Sequence, residues 1–386
     1  MRGDSRTGRR VALVALVVVL TLFNIALDIG AVSAGGGYLI YRFISGSLDP
    51  VQLSIELQTV DMTGNGSGWA VGWGVSKASN VLLRANAGHW VVQPSPPALG
   101  KAEPVTLAMD SPQDGWMIAG YSAPDPGGSG LWTTYEELLH YQDGQWRMAS
   151  APLDEDFEAL TMRTASDGWI VGSGIILHWN GTQWNQSPMP ADLPSYAWPF
   201  LDAVAAPSAT DAWAAGFGGD MLHWDGSTWH TVHLSQELAV DAPPLDADRL
   251  TSPDIKGLAM TTPGEGWAVA SVFKHNEMTV GEILKCHKGI WRIEKILPGV
   301  VPQALTLTAH GDGWIVGDHG AIMLLQGNHW VQVTSPTSNP LSSVSIAPDG
   351  QAWAGGFEGT LLHEQHGVWN LVTGIDWSRA ANQRAS

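Results

Sequence analysis

The sequence predicts an all-β fold, a seven-bladed β-propeller preceded by one N-terminal hydrophobic helix. Three observations carry this expectation: a tryptophan-bracketed unit repeated seven times, a composition rich in turn formers, and one apolar run at the amino end. The chain has 386 residues, with 45 Gly, 23 Pro and 20 Trp, while charged residues make up only 15%. Many turns and many flat aromatic side chains with few charges describe strands rather than helices. Hydrophobic residues, at 44%, are enough for a sizeable core.

The repeat is clearest in SDGWIVGSGIILHWNGTQW, residues 166–184. Asp167-Gly168 and Asn180-Gly181 flank its two apolar runs, and such dipeptides signal tight hairpin turns because they tolerate positive φ. The first Trp of each unit is Trp69, Trp116, Trp169, Trp213, Trp267, Trp314 or Trp353. The closing Trp is Trp90, Trp146, Trp184, Trp229, Trp291, Trp330 or Trp369. Successive first Trps lie 39 to 54 residues apart, the length of a four-stranded propeller blade. Each unit parses into an apolar strand such as Ala159-Leu-Thr-Met162, a Trp strand such as Trp169-Ile-Val-Gly172, a third strand such as Ile176-Leu-His-Trp179, and a fourth beginning near the closing Trp.

Three residues after the first Trp stands Gly72, Ala119, Gly172, Gly216, Ala270, Gly317 or Gly356. Only small residues occur there, as expected where a neighbouring blade packs closely on the backbone. The Trp pairs then supply large apolar plates between sheets stacked face to face. The propeller is expected over residues 51–373, followed by a tail, 374–386, to which the sequence gives no role. Residues 50–63 can complete the first blade and 369–373 the last, so no strand need be exchanged between the chain ends.

At the amino end a basic segment, residues 1–10, holds Arg2, Arg6, Arg9 and Arg10. The run VALVALVVVLTLFNIAL (11–27) follows, within a hydrophobic segment placed at 11–29. As a helix the run would be about 25 Å long, close to the hydrocarbon thickness of a bilayer. It reads as a single-pass anchor with its basic end cytoplasmic, or as a signal peptide cleaved after Ala34, where Val32 and Ala34 supply small residues. Residues 30–50 read as a linker.

The formal net charge is -18, and everything after residue 49 carries -20 of opposing charge, because the amino end has five Arg against three Asp. A body that acidic repels phosphate backbones, so nucleic acid is not an expected partner. The single cysteine, Cys286, excludes an internal disulfide and a Cys-rich metal site.

The units resemble those of the photosystem II stability/assembly factor-like propellers, within the Asp-box (sialidase-type, BNR-like) repeat group. The matching segments are 168–172 with Trp179-Asn-Gly-Thr-Gln-Trp184, and 212–216 with Trp224-Asp-Gly-Ser-Thr-Trp229. The turns lack the additional Gly and the Ser or Thr that precede the Asp in the full Asp-box. The resemblance implies a binding scaffold and leaves its ligand open.

Sialidase chemistry would be the alternative, a carbohydrate-active hydrolase on the same scaffold. It requires an arginine cluster beside an acid pair and a Tyr nucleophile, and the few arginines after residue 50 do not suggest one. His140, His178, His223 and His363 occupy one position in different blades, too far apart for a shared ion with ~2.0 to 2.1 Å ligand bonds. No phosphate-binding loop opens a helix. The expectation is therefore a non-enzyme, with no catalytic residues, no metal and no cofactor, working as a monomer.

In a four-stranded meander the second-to-third loops and the blade-to-blade connections share one rim. The long insertions, 76–80, 122–137, 271–282, 94–103, 188–200 and 235–255, all belong to that set. Variable connections on a rigid scaffold are where recognition concentrates. They carry aromatics outside the repeat pattern, Trp132, Tyr135, Tyr196 and Trp198, with Trp73 and Tyr121 where loops begin. These are the candidate binding residues for a protein or glycan partner outside the cytoplasm.

Overall fold

The computed structural model describes residues 55–377 and 379, apart from 75–78, 125–131, 150–155, 194–198, 233, 235–252, 274–278, 309 and 378. The expected amino-terminal helix, its cleavage point and the linker lie outside the described residues, as do Tyr196 and Trp198. No helix among the described residues is long and apolar enough to cross a membrane.

Seven antiparallel sheets of four strands follow one another, and within each sheet the strands pair in chain order. The blades span residues 55–93, 103–149, 157–186, 201–231, 254–297, 302–332 and 341–371. Each first strand lies against the first strand of the next blade, and that of blade 7, Leu341–Ile346, lies against that of blade 1, Ile55–Gly64. The chain is thus a seven-bladed β-propeller whose first strands line the axis.

Tryptophan joins the blades. The closing Trp of every blade meets the first Trp of the preceding blade edge to face: Trp146 on Trp69, Trp184 on Trp116, Trp229 on Trp169, Trp291 on Trp213, Trp330 on Trp267, Trp369 on Trp314, and Trp90 on Trp353. Ring centroids are 5.0 to 5.6 Å apart with planes 65 to 86° from parallel. All fourteen rings are buried.

The other side of the first Trp is covered from its own blade, by the residue directly opposite it on the third strand. His140, His178, His223 and His363 stack on Trp116, Trp169, Trp213 and Trp353 at 3.7 to 4.2 Å. Arg84 and Lys285 take that place over Trp69 and Trp267. Three of the imidazoles are held by an Asp at the start of the second strand, with His140 at 2.8 Å from Asp114, His178 at 2.7 Å from Asp167 and His223 at 3.2 Å from Asp211. The four histidines belong to packing inside four separate blades.

Two glycine positions have causes other than the expected ones. Asp167-Gly168 does not form a turn: Ala165 and Ser166 do, and Asp167 already begins the strand Asp167–Gly172. Gly168 is required because a Cβ there would lie 2.3 Å from the sulfur of Met162 on the facing strand. Gly172 is crowded not by a neighbouring blade but by its own, since a Cβ would fall 1.8 Å from the carbonyl oxygen of Asp156, where the first strand begins. Asn180-Gly181 is the turn expected, with φ of 89° at Gly181 and the Asn180 Oδ1 accepting from the Thr182 and Gln183 amides.

Two connections expected as loops are largely strand. In blade 2 the second and third strands extend over Asp114–Pro124 and Trp132–Gln142, so Tyr121, Trp132 and Tyr135 lie in a long hairpin arm. In blade 5 the corresponding strands run over Glu265–Phe273 and Thr279–His287. Tyr and Thr recur in the arm of blade 2 and Val in that of blade 5, and cross-strand pairs of such residues prolong the ladder.

The ring closes without a shared strand. The Val60 and Met62 amides donate to the hydroxyls of Ser343 and Ser345 at 2.9 and 3.1 Å, and the Gly359 amide donates to the Ile55 carbonyl at 2.8 Å. The tail, without a role in the sequence reading, returns to this seam: Trp377 is buried with Ile55, Leu57, Trp353 and Leu361, and Val372 and Ile375 pack beside it. Trp90→Ala and Trp353→Ala, which open the aromatic pair at the seam, should each lower the unfolding free energy by about 3–5 kcal/mol. The double variant should lose less than the sum, because both remove one contact. Urea unfolding followed by far-ultraviolet circular dichroism measures all three.

Candidate functional site

The axial strands carry a second seven-fold feature. In every blade the pairing of first and second strands slips by one residue near the start of the first strand. The extra residue of each bulge is Gln58, Val105, Glu158, Asp202, Lys256, Gln303 or Ser342, in blade order. A β-bulge re-aims a side chain that would otherwise alternate with the pleat. First strands start on the rim of the long connections, so the bulges set their residues at one level of the channel on that rim.

The chemistry at this level is uneven. In blades 2 to 5 Glu136, Asp156, Glu158, Asp202 and Asp254 form an acidic crescent. Its one cation is Lys256, whose Nζ lies 2.7 Å from Asp254 and 4.0 Å from Asp202. Glu136, on the third strand of blade 2, accepts a hydrogen bond from the Phe157 amide. Burial pushes the Glu136 carboxyl up to about 8, opposed by that hydrogen bond and reinforced by the charges of Glu158 and Asp156. Glu158 is open toward the channel, yet desolvation and the charges of Asp202 and Asp156 bring it to about 7 against the pull of Lys256. Asp202 is raised to about 6 by desolvation and Asp254, with Lys256 acting the other way. Glu56, beside Gln58 in blade 1, is also raised by burial.

Of the sequence-predicted aromatics, the described rings of Trp73, Tyr121 and Tyr135 are not gathered in this crescent. Tyr121 and Tyr135 face each other across the arm of blade 2 with rings stacked at 5.3 Å, both partly buried. Trp73 is partly buried within the second strand of blade 1, opposite Glu56 and Asn80. Trp132 opens the third strand of blade 2, paired with Pro124. Sequence reading missed the crescent. Its signal was an acidic or basic residue directly after an apolar one at the head of the first strand, as in Phe157-Glu158, Leu201-Asp202 and Ile255-Lys256.

The described arginines lie elsewhere. Arg84 covers Trp69, Arg163 pairs with Asp167, Arg147 with Asp143, Arg379 with Asp376, and Arg292 is on the outer strand of blade 5. None of these five joins the crescent, and the arginine cluster of sialidase chemistry is not formed among the described residues.

Known structures with this architecture were found by comparison. YCF48 bound to D1 peptide is similar over 83% of this chain and 95% of its own, with a TM-score of 0.55 and 16% identity. YCF48 from Cyanidioschyzon merolae matches over 81% and 95%, with a TM-score of 0.53 and 14% identity. The WD40 propeller domain of Doa1 covers 81% of this chain and 93% of its own, with a TM-score of 0.53 and 10% identity. The likeness is one of fold. The repeat and the structural likeness agree on the propeller architecture. No protein-family model matches the chain, and no curated protein sequence does.

The raised carboxyls fix the sign of a pH effect. Glu136 and Glu158 hold their protons up to about 8 and about 7 in the folded chain, but release them near the ordinary glutamate value of 4.5 once unfolded. Between those limits the folded state binds more protons, so stability is fully present below about pH 4.5 on account of these groups and is lost as pH rises through about 7 to 8. The melting temperature should fall from about pH 6 to about pH 9, and Glu136→Gln, which keeps an oxygen for the Phe157 amide, should flatten that fall. Differential scanning calorimetry across this range tests it, and an unchanged slope in the variant would remove Glu136 as its source.

Proposed function

We propose that this chain is a non-catalytic scaffold displayed outside the cytoplasmic membrane, where it binds a protein partner on the rim that carries its long connections. The observation that carries this reading is that the described strand ends flanking the long connections and all seven bulged residues lie on one rim, at the channel mouth. Short turns occupy the opposite rim, where first and second strands are joined by tight reversals such as Ala165-Ser166 and third and fourth strands by turns such as Asn180-Gly181. A wheel that is rigid on one side and elaborated on the other suits recognition. The peptide bound to the similar YCF48 propeller supports a protein as the partner class.

The basic amino end followed by the apolar run 11–27 supports a single-pass anchor with the propeller on the outer side. Signal cleavage after Ala34 would release the same propeller. The chain acts as a monomer in this reading, since the ring closes on itself.

Affinity capture with the full chain and mass spectrometry, repeated with residues 122–133 removed and Trp198→Ala, tests the rim. The partner held by the unaltered chain should be absent from the variant, while circular dichroism stays unchanged. Undiminished capture would overturn the assignment of the rim, and release by oligosaccharide but not by peptide would make the partner a glycan.

A further inference from the structure

Among the described residues nine large apolar side chains stand well exposed. Six of them, Val91, Met148, Ile290, Val331, Val368 and Leu371, lie on fourth strands at the outer edge of the wheel. Exposed apolar residues scattered in this way are ordinary. The other three are all phenylalanine, Phe200, Phe217 and Phe273, and all belong to the rim of long connections.

Phe200 and Phe217 form a pair at the head of blade 4. Their rings are 6.4 Å apart and nearly perpendicular, at 51% and 61% exposure, and the Phe217 amide donates to the Phe200 carbonyl at 2.9 Å. Backbone contacts therefore hold the two rings beside each other in water. The carboxylates of the crescent begin beside them. Asp202 is two residues along the strand from Phe200, and Asp220, which closes the turn bearing Phe217, accepts from the Phe200 amide. Glu158 follows on the neighbouring blade, close enough to Asp202 for their charges to interact.

We infer that Phe200 and Phe217, with the adjoining crescent, dock an extended peptide segment of the partner that presents an apolar side chain and a Lys or Arg two residues apart. The inference rests on the scaffold reading above and specifies its partner. Charge complementarity selects the cation: the crescent sets five acidic side chains around one lysine, and a second cation draws off the protons that burial leaves on Glu136 and Glu158, on a body carrying -20. The spacing follows from the site, where Phe200 and Asp202 stand two residues apart in the chain and the bulge at Asp202 turns its side chain toward the axis. The half-exposed ring pair supplies an apolar anchor, and aromatic anchors ringed by polar groups are the usual centres of binding energy. A cation bound here keeps the crescent ionised, so the complex weakens as acid protonates Glu136, Glu158 and Asp202 among their neighbours Asp156, Asp254 and Lys256.

Fluorescence anisotropy with the full chain tests this, using a labelled Gly/Ser peptide that carries Leu-x-Arg pairs and matched peptides carrying Leu-x-Glu or Ser-x-Arg. The Leu-x-Arg peptide should bind at least about tenfold tighter than either control. Phe217→Ala and Asp202→Asn should each weaken it about tenfold, and Val368→Ala on the outer edge should not. Near-ultraviolet circular dichroism verifies that each variant is folded. Equal binding of Ser-x-Arg and Leu-x-Arg, full affinity in Phe217→Ala, or equal loss in Val368→Ala would overturn the inference. Partner capture that survives Phe217→Ala and Asp202→Asn but is lost with residues 122–133 overturns the docking surface alone, whereas capture that survives all three changes overturns the scaffold reading as well.

Discussion

The edge-to-face contact between the closing Trp of one blade and the first Trp of the blade before it is the constraint on which the rest of the structure depends. It occurs at all seven junctions, including the one where the two ends of the ring meet. Each such pair contributes about 0.5–1.5 kcal/mol beyond its burial, so the set adds roughly 4–10 kcal/mol to the cohesion of the wheel. The seven closing indoles bury their N–H groups with no conventional acceptor. His, Arg or Lys on the opposite side of six of the first Trps completes the stack, which explains a histidine pattern that superficially resembles a metal site.

Because the junctions are fixed by tryptophan, the first strands are free to differ where they meet the channel. A bulge at the same place in every blade leaves the core side chains in register while turning one residue per blade toward the axis. Repeating a backbone irregularity seven times makes it architecture, while the identity of the turned residue varies from Val to Glu to Lys. The electrostatic character of the mouth is thus written on positions that cost the sheets little. Burial, and after it the crowding of several carboxyls at this mouth, raises their proton affinity, so these acidic groups make the fold more stable in mild acid.

Most of the architecture was legible in the sequence because one large residue marks each blade twice. Trp spacing gave the blade count, and the residues between gave four strands apiece. The turn signals were less transparent. Asp167-Gly168 has the composition of a hairpin turn, but its glycine answers to Met162 across the ladder and its aspartate to His178. The hairpin arms of blades 2 and 5 looked like insertions because they interrupt the repeat, although their Thr, Tyr and Val content continues the strands. The candidate site was harder to see. The bulges mark only three of the seven blades with a charged residue after an apolar one, and the exposure of Phe200 and Phe217 depends on a turn and a strand head brought together only by the sheet. Trp377 lay outside the repeat and carried no periodic signal, so its place in the seam had to come from the fold.

That seam has a consequence for how the molecule can be rearranged. No strand passes from one end of the chain to the other side of the ring, so each blade is encoded by one uninterrupted segment. Genes reordered to begin at any blade-to-blade connection would therefore preserve every sheet intact. The exception is the stretch after blade 7, whose tryptophan works beneath blades 7 and 1 together: a permuted or fused chain must carry residues through Trp377 along with blade 7, or leave a ring-sized hole at the junction.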